Sequence, residues 1–482
     1  MKSSLPPALL QLQPSVDTPY YRQIYTRLRN AIADGLLKPG HRIPSARALA
    51  AEMGLARGTI ESAYGLLTAE GYIEARGQAG TVVAPGVRPH AWAAASTPEV
   101  NRPPLHEVES HADSAPAVPM PRPFQMGVPA LDAFPRKIWA RLAAREARAT
   151  QRSDMFYPPP AGLMALRVEI ARYLQLSRAI SCAPEQVFVT AGYRDSLDLI
   201  TRALLNPGDR IWVEDPGYPP SASLLRGAGM QLVGLPVDAH GMQVEQGLQR
   251  APQARAALVT PAHQSPLCVT LSLQRRIALL EWAARHRAWV IEDDYDGEYR
   301  YDSRPLPSLK SLDRDDRVLY AGTFSKVLFP AIRLAYLVVP AQQVAHIDDA
   351  TRRFSGGSPV LMQQAVAAFM AEGHFARHIQ RMRRLYAQRR ELAAAGLAEA
   401  MGRAVQMETT PGGMHLLMRL TGRRSDRLLA QRMRDAGMFS RALSECTLEK
   451  RSDLPSMLML GFTNITSHEQ ARQLGQRILD LL

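Results

Sequence analysis

YAGTFSKVLFPAIRLAY, residues 320–336, reads as the end of an apolar strand, a hydroxyl-bearing turn and a second apolar stretch. A single lysine, Lys326, follows the turn, and a single arginine, Arg333, stands in the stretch beyond it. Thr323 and Ser325 offer hydroxyls and Arg333 a fixed positive charge, a set that suits a phosphate. Lys326 offers an amine that condenses with an aldehyde once apolar surroundings and neighbouring cations depress its pKa. Pyridoxal 5'-phosphate (PLP) is a cofactor that carries both an aldehyde and a phosphate, and the stretch suits its attachment.

Outward from this stretch the chain keeps one rhythm. The strand-like runs VFVTAG, RIWVEDP, AALVTP, AWVIEDD and RVLYAG alternate with helical patterns at 163–177, 195–205 and 271–286. That alternation predicts an α/β domain with a mainly parallel sheet. In AWVIEDDYDGEY the strand is predicted to end at Ile291, so that Asp293 emerges at the C-terminal edge of the sheet, where α/β folds place ligands. A carboxylate there keeps a pyridine nitrogen protonated. The rival reading is a metal site built from Glu292, Asp293, Asp294 and Asp296. It fits poorly, because calcium loops take oxygen ligands at alternate positions followed by a distant glutamate, and no metal is expected. TAGYRDSLDL follows a strand and opens a helix, so the amides of Tyr193 and Arg194 can meet a phosphate at the positive end of the helix dipole.

At 482 residues the chain is too long for one core, and 46% hydrophobic content is ample for two or more. Cys182, Cys268 and Cys446 are widely spaced and odd in number, which argues for reduced, buried thiols over a disulfide framework or a zinc cluster. Lys2 alone precedes an apolar patch broken by Pro6 and Pro7, a poor signal peptide, and no apolar run reaches membrane-spanning length. A cytoplasmic protein without a membrane partner is expected. The net charge of +13 is compatible with a polyanionic partner. Part of the excess is a run of Arg377, Arg381, Arg383, Arg384, Arg389 and Arg390, expected to spread around a helix as solvated charge. Residues 87–122 are proline-rich with little apolar periodicity and are predicted to be a semi-extended linker between domains at 20–86 and 123–482.

Residues 20–86 have a different pattern. YRQIYTRLRNAIADGL, 21–36, puts Ile24, Leu28, Ala31 and Ile32 on one helical face, with Gly35 closing the helix. IPSARALAAEMG has Ser45 as N-cap and Gly54 as stop, and ARGTIESAYGLLTAEGY restarts with Ile60, Ala63, Tyr64 and Leu67 at helical spacing. YIEARGQAGTVVA predicts a two-stranded wing with Gly77 and Gly80 in its turn. The sum is a winged helix-turn-helix that sets its second helix in a DNA major groove. Arg57 and Thr59 lie at that helix's leading end, and Arg47, Arg76 and Gly77 are placed to meet phosphates or the neighbouring groove.

The string IPSARALAAEMGLARGTIESAYGLLTAEGYIEARGQAGTVV resembles the DNA-binding domain of the GntR superfamily. Ala56 replaces the usual capping Ser or Thr of the recognition helix, a loss of about 1 kcal/mol, and Gly58 replaces a residue that often touches bases. The large domain is similar to fold-type I aminotransferases through YPPPAGLMALR (157–167), VTAGYRDSLDLI (189–200), VEDPGYPP (213–220), VTPAHQSPLCVTLS (259–272), VIEDDYDGEYRYD (290–302) and GTFSKVLFPAIRLAY (322–336). The combination resembles the MocR subfamily of GntR regulators.

That resemblance implies PLP held as a Schiff base on Lys326, Asp293 against the pyridine nitrogen, Tyr295 on the ring 3'-oxygen and Tyr218 stacked on the ring. It further implies that Tyr157 reaches the phosphate of a second subunit, hence a homodimer, and that a smaller C-terminal subdomain is present. Ser265 stands in place of an asparagine that bonds the 3'-oxygen, and Cys268 where glycine is usual. LPSMLMLGFTNI lacks the substrate-carboxylate arginine expected on a late strand, and Pro220 stands where some relatives recruit one, leaving Arg441 as a substitute effector contact. The function implied is a PLP-dependent DNA-binding transcriptional regulator that uses paired half-sites of double-stranded DNA and senses PLP or a small amino compound. The alternative is a catalytically active aminotransferase with an appended winged helix.

Overall fold

The computed structural model describes residues 5–6, 9, 11–12, 18–76, 80–85, 121–301, 307–408, 410, 412–449, 451 and 453–482. The chain divides between Ala115 and Pro116 into two compact units. The stretch expected as a linker, 87–122, lies outside the described residues except for 121 and 122, as does Gly77.

In the N-terminal unit, α1 (Tyr20–Ala33), α2 (Ala46–Met53) and α3 (Arg57–Ala69) enclose a core that includes Ile24, Leu28, Ile32, Leu49, Ile60 and Leu67. The Ser45 hydroxyl accepts from the Ala48 amide at 3.2 Å and starts α2, and Gly54, at φ 65, ends it. α3 begins at Ala56 with no side-chain acceptor for its first amides. The wing has three strands instead of the expected two. β1 (Arg42–Ile43) pairs antiparallel with β3 (Thr81–Val83), and β2 (Ile73–Ala75) pairs with the other edge of β3. β1 fills the second edge of β3 and buries Ile43; two residues are too few to announce a strand by alternation.

The larger unit is built on an eight-stranded sheet. Its strands are β4 (Val187–Thr190), β5 (Arg210–Asp215), β6 (Gln231–Asp238), β7 (Gly241–Met242), β8 (Ala256–Val259), β9 (Trp289–Asp294), β10 (Val318–Thr323) and β11 (Ala335–Val338). The order is β4-β11-β10-β9-β8-β5-β6-β7, with β10, β9, β8, β5 and β6 mutually parallel and β11 antiparallel to both its neighbours. Central strands covered on both faces read as continuous apolar runs, and β9 is buried over all six residues even though it ends in Glu292, Asp293 and Asp294. It runs to Asp294, three residues beyond the expected end. The predicted helices occur as Met164–Arg178, Tyr193–Leu204 and Leu273–His286. The last is pinned to the sheet by Trp282, stacked on Trp212 of β5 with ring centroids 3.8 Å apart.

The C-terminal subdomain is an antiparallel sheet of β12 (Val405–Glu408), β13 (His415–Leu420), β14 (Arg441–Ala442) and β15 (Met457–Gly461), in the order β12-β13-β15-β14. Helices His374–Met401 and His468–Leu479 pack together beside it, so closely at Gly396 that a β-carbon there would lie 2.5 Å from the His468 carbonyl oxygen. The arginine run sits on the first of these helices and is only half solvated. Arg377, Arg381 and Arg384 are exposed, whereas Arg389 is buried against Asp132 and the Thr463 carbonyl, and Arg383 and Arg390 turn to the carbonyls of Glu298 and Thr410. Among the described residues no helix is long and apolar enough to cross a membrane.

Ala56→Ser supplies the missing cap of α3. It is expected to raise the stability of the N-terminal unit by about 1 kcal/mol, seen as a higher melting transition for that unit in calorimetry of the full chain; an unchanged transition would show that α3 draws nothing from a cap.

Candidate cofactor site and nucleic-acid interface

β4, β10, β9, β8 and β5 run in one direction, so their C-terminal ends open at one edge of the sheet. At the end of β4, Gly192 adopts φ 127 and leads into helix Tyr193–Leu204. A β-carbon on Gly192 would lie 3.6 Å from the Arg333 guanidinium, so that group hangs over the helix N-terminus where the Tyr193 and Arg194 amides begin. Thr323 ends β10, and its hydroxyl accepts from the Ser325 amide at 3.1 Å. The Phe324 amide donates to the Leu334 carbonyl at 3.1 Å and closes the loop, drawing Thr323, Ser325 and Arg333 to the same end. Helix amides, hydroxyls and a guanidinium from separate parts of the chain thus form a cradle that fits a phosphate.

Asp293 is buried near the end of β9. Burial, with the charges of Asp294, Glu214 and Asp296, pushes its carboxyl up to about 8, against the opposing effect of the Tyr193 hydroxyl. Its neighbours are each engaged elsewhere. Asp294 pairs with Arg178 at 2.5 Å and accepts from the Tyr320 hydroxyl at 2.6 Å. Glu292 accepts from the amides of Leu309 and Lys310, both at 2.8 Å, and Asp296 meets His263 Nδ1 at 3.2 Å. Glu214 accepts from the Thr260 hydroxyl at 2.6 Å and from Gln264 Nε2 at 3.2 Å. The carboxylates of this acidic string therefore face different partners, and Asp293 forms no ion pair among the described residues. A protonated ring nitrogen fits that gap.

Lys326 follows β10 and donates from Nζ to the Gly127 carbonyl oxygen at 2.9 Å. Its surroundings lower the amine's pKa, by desolvation first and by Arg441 second, while Asp296 and Asp293 oppose. Gly127 is at φ 66, and a β-carbon there would come within 2.4 Å of Nζ. Tyr295 holds His263 Nδ1 at 2.9 Å with the Ser265 side chain beside its hydroxyl, and the Ser265 amide donates to the Thr260 hydroxyl at 3.2 Å. Tyr218, at the start of helix Pro219–Gly227, is an electrostatic neighbour of Arg441, Asp293 and Arg194. Tyr157 stands apart, 97% exposed beside the exposed Met155 and Phe156. Gly127, His263, Glu214 and Arg178 were not anticipated as parts of this edge. Gly127 carries no motif, and Arg178 reaches its carboxylates from the end of a helix more than a hundred residues away.

In the N-terminal unit Arg47 and Arg57 are exposed on α2 and α3, Thr59 is half-buried in the first turn of α3, and Arg76 is exposed after β2. Arg57 pairs with Glu61 at 2.7 Å, and Arg76 pairs with Glu74. Exposed pairs of this kind contribute about 0–1 kcal/mol, little enough for a phosphate to displace.

Asp293 holds its proton more tightly folded than unfolded, so the cofactor-free chain loses stability as pH rises toward about 8. Between pH 6 and 8 the loss from this group is about 2 kcal/mol. Asp293→Asn is expected to remove that part of the pH dependence in urea unfolding of the cofactor-free protein; parallel profiles for the two chains would contradict it.

Residues 127–474 match the aminotransferase class I and II family, and residues 20–83 match the gntR family of bacterial regulatory proteins. The probable rhizopine catabolism regulatory protein MocR of Rhizobium meliloti is 37% identical over 442 residues, 90% of this chain and 89% of that protein. The pyridoxine biosynthesis transcriptional regulator PdxR of Corynebacterium glutamicum is 34% identical over 411 residues, 85% of each. Among solved structures, Pyrococcus horikoshii kynurenine aminotransferase matches with a TM-score of 0.67 and 26% identity, over 74% of this chain and 89% of that one. LysN, an α-aminoadipate aminotransferase of Thermus thermophilus, matches with a TM-score of 0.67 and 26% identity, over 74% of this chain and 91% of that one. Aminotransferase class I and II domains typically bind PLP, and the helix-turn-helix implies DNA binding. With likeness running through both units, the chain belongs to the MocR-type regulators of the GntR family, helix-turn-helix transcription regulators that carry an aminotransferase-like domain.

Proposed function

We propose that this regulator is a cytoplasmic homodimer whose grip on paired DNA half-sites is set by PLP, or by a small amino compound meeting PLP, at Lys326. The observation that carries the reading is the juxtaposition of a desolvated amine at Lys326, a buried carboxyl without a cation at Asp293 and a phosphate cradle around Gly192 and Arg333. PLP supplies an electrophilic carbon and a protonatable ring nitrogen. Gly192, the amides of Tyr193 and Arg194, Thr323, Ser325 and Arg333 would hold its phosphate, and Asp293 its ring nitrogen. Tyr295 and Ser265 would meet the ring oxygen and Tyr218 the ring face. Tyr157 is exposed enough to serve a second copy. Arg441 has no hydrogen-bonded partner among the described residues and neighbours both Lys326 and Tyr218, which suits an effector bearing an anionic group. β15, Met457–Gly461, brings no arginine of its own, which favours sensing over rapid turnover.

The Lys326–Gly127 contact supplies a path for the signal. An amine committed to the cofactor's carbon gives up hydrogens that it now donates to the Gly127 carbonyl. Gly127 belongs to the first described stretch of the larger unit, which leads back toward the proline-rich segment. Two arrangements that differ in this contact would differ in how that stretch is anchored, and a ligand preferring one of them shifts the population.

The test compares the cofactor-free and PLP-loaded chain for binding to its own upstream DNA at one fixed salt concentration. An absorbance band that is lost in Lys326→Ala, together with a change in DNA affinity of about tenfold or more, is expected. Affinity that ignores PLP but responds to an added amino compound would assign the signal to that compound. Specific DNA binding in neither form, with keto acid formed from amino acids, would replace this reading with the aminotransferase.

A further inference from the structure

Cys268 holds φ 60, in the left-handed region that a β-carbon disfavours. Its amide donates to the Gln264 carbonyl at 2.7 Å and the Leu267 amide to Gln264 Oε1 at 2.9 Å, so this turn is fixed on both sides of the peptide. The sulfur lies 3.0 Å from His415 Nε2, at the start of β13. The same nitrogen is 3.2 Å from the Pro266 carbonyl oxygen. A carbonyl only accepts, so Nε2 carries a hydrogen that the sulfur can share as a thiolate, while a neutral thiol there would instead donate to the Pro266 carbonyl at 3.6 Å. His263 is a second imidazole neighbour of this sulfur. Its Nδ1 is taken by Tyr295 and Asp296, while its Nε2 is buried without a hydrogen-bond partner.

Burial by itself would raise the thiol's pKa, and the two imidazoles overcome it and bring Cys268 down to about 6. No imidazole among the described residues acts on Cys182 or Cys446, and burial pushes them up to about 11 and about 12. Leu417, Leu443, Met457 and Met459 pack with Cys268, and the polar groups at its side are the two histidines and the Pro266 carbonyl oxygen, 3.6 Å from the sulfur. Met126 packs on the same cluster, one residue before the carbonyl that receives Lys326 Nζ. The sulfur thus borders the candidate cofactor site without belonging to the contacts argued for it.

We propose that Cys268 is a reactive thiolate paired with the His415 imidazolium, and a modification site for small uncharged carbon electrophiles of the α,β-unsaturated carbonyl class. Cys268 is 2% exposed and packed by apolar residues, which favours small uncharged reagents over charged or bulky ones. The sulfur lone pair forms a C–S bond at the β-carbon, and the C=C electron pair moves onto the carbonyl as an enolate. The His415 proton then passes to that enolate, leaving a neutral thioether, a neutral imidazole and no by-product. The adduct removes the negative charge beside His263, whose other nitrogen holds the Tyr295 hydroxyl.

At pH 7 thiolate content favours Cys268 over Cys182 by about ten-thousandfold, and the lower nucleophilicity of a low-pKa thiolate returns about two-hundredfold, a net of roughly fifty-fold. Burial of Cys268 reduces this advantage. The test treats the full cofactor-free chain with N-ethylmaleimide at pH 7 and reads each cysteine by peptide mass spectrometry. Cys268 is expected to react at least about fivefold faster than the more exposed Cys182. His415→Gln, which keeps a donor for the Pro266 carbonyl but no imidazolium, is expected to reverse that order. An ultraviolet thiolate band with a midpoint of about 6 is expected in the wild type and absent from Cys268→Ser. Faster labelling of Cys182 in the wild type, or identical thiolate titrations for wild type and Cys268→Ser, overturns the proposal. Both readouts are taken without cofactor, so their failure is distinct from failure of the PLP reading.

Discussion

Buried negative charge governs the larger unit. β9 and the turn after it carry Glu292, Asp293, Asp294, Asp296 and Glu298 into the interior, and Glu214 of β5 is buried as well. Arg178 answers Asp294 at 2.5 Å and Glu298 at 3.1 Å. Backbone amides answer Glu292, and Thr260 and Gln264 answer Glu214, yet burial still pushes both glutamates up to about 7. Removing one partner of a buried ion pair costs about 3–5 kcal/mol, so Arg178 is as necessary to the fold as any apolar contact. Replacing the whole group with apolar residues would often cost nothing. Within the group only Asp293 forms no ion pair and accepts from no backbone amide among the described residues, so it is the member that a ligand's positive charge would meet.

What the sequence disclosed follows from range. Lys326, Arg333, Asp293 and the Tyr193–Arg194 amides lie within short strings where a strand ends and a turn begins, and a strand end fixes where the next few residues emerge. Gly127 meets Lys326 across 199 positions and Arg178 meets Asp294 across 116, and no local pattern announces either. Helical spacing spread the arginines of the 377–390 run around a helix, but it could not tell what covers any of them. Asp132 and three main-chain carbonyls cover part of the run, so charges expected in water are structural. β1 was hidden for the opposite reason: it is local but too short to alternate.

The N-terminal unit shows the same division. Its three helices were legible because their apolar residues recur at helical spacing and Ser45 and Gly54 punctuate them. Its binding surface is less determined, since Arg57 and Arg76 already hold Glu61 and Glu74. Those pairs are weak and exchangeable, so releasing either arginine would carry no large penalty. Gly58, in the first turn of α3, offers no side chain, and a β-carbon there would meet nothing within 4 Å.

Regulation needs a free-energy difference between two arrangements, and the cofactor edge contains one of suitable size. A tenfold change in DNA affinity corresponds to about 1.4 kcal/mol. Ionising Asp293 at pH 7 without a cation costs a comparable amount, about 1.4 kcal/mol, given its elevated pKa. A cation brought to Asp293 relieves that cost, but relief common to both arrangements moves no equilibrium. The difference must come from a contact that one arrangement keeps and the other loses. Under the proposed function the Lys326–Gly127 hydrogen bond would be such a contact: it joins the amine to the stretch that leads toward the proline-rich segment, and an amine committed to a ligand would release it. A hydrogen bond is worth about 0.5–1.5 kcal/mol net, which under that proposal would suffice to couple occupancy at Lys326 to a shift of about tenfold on DNA.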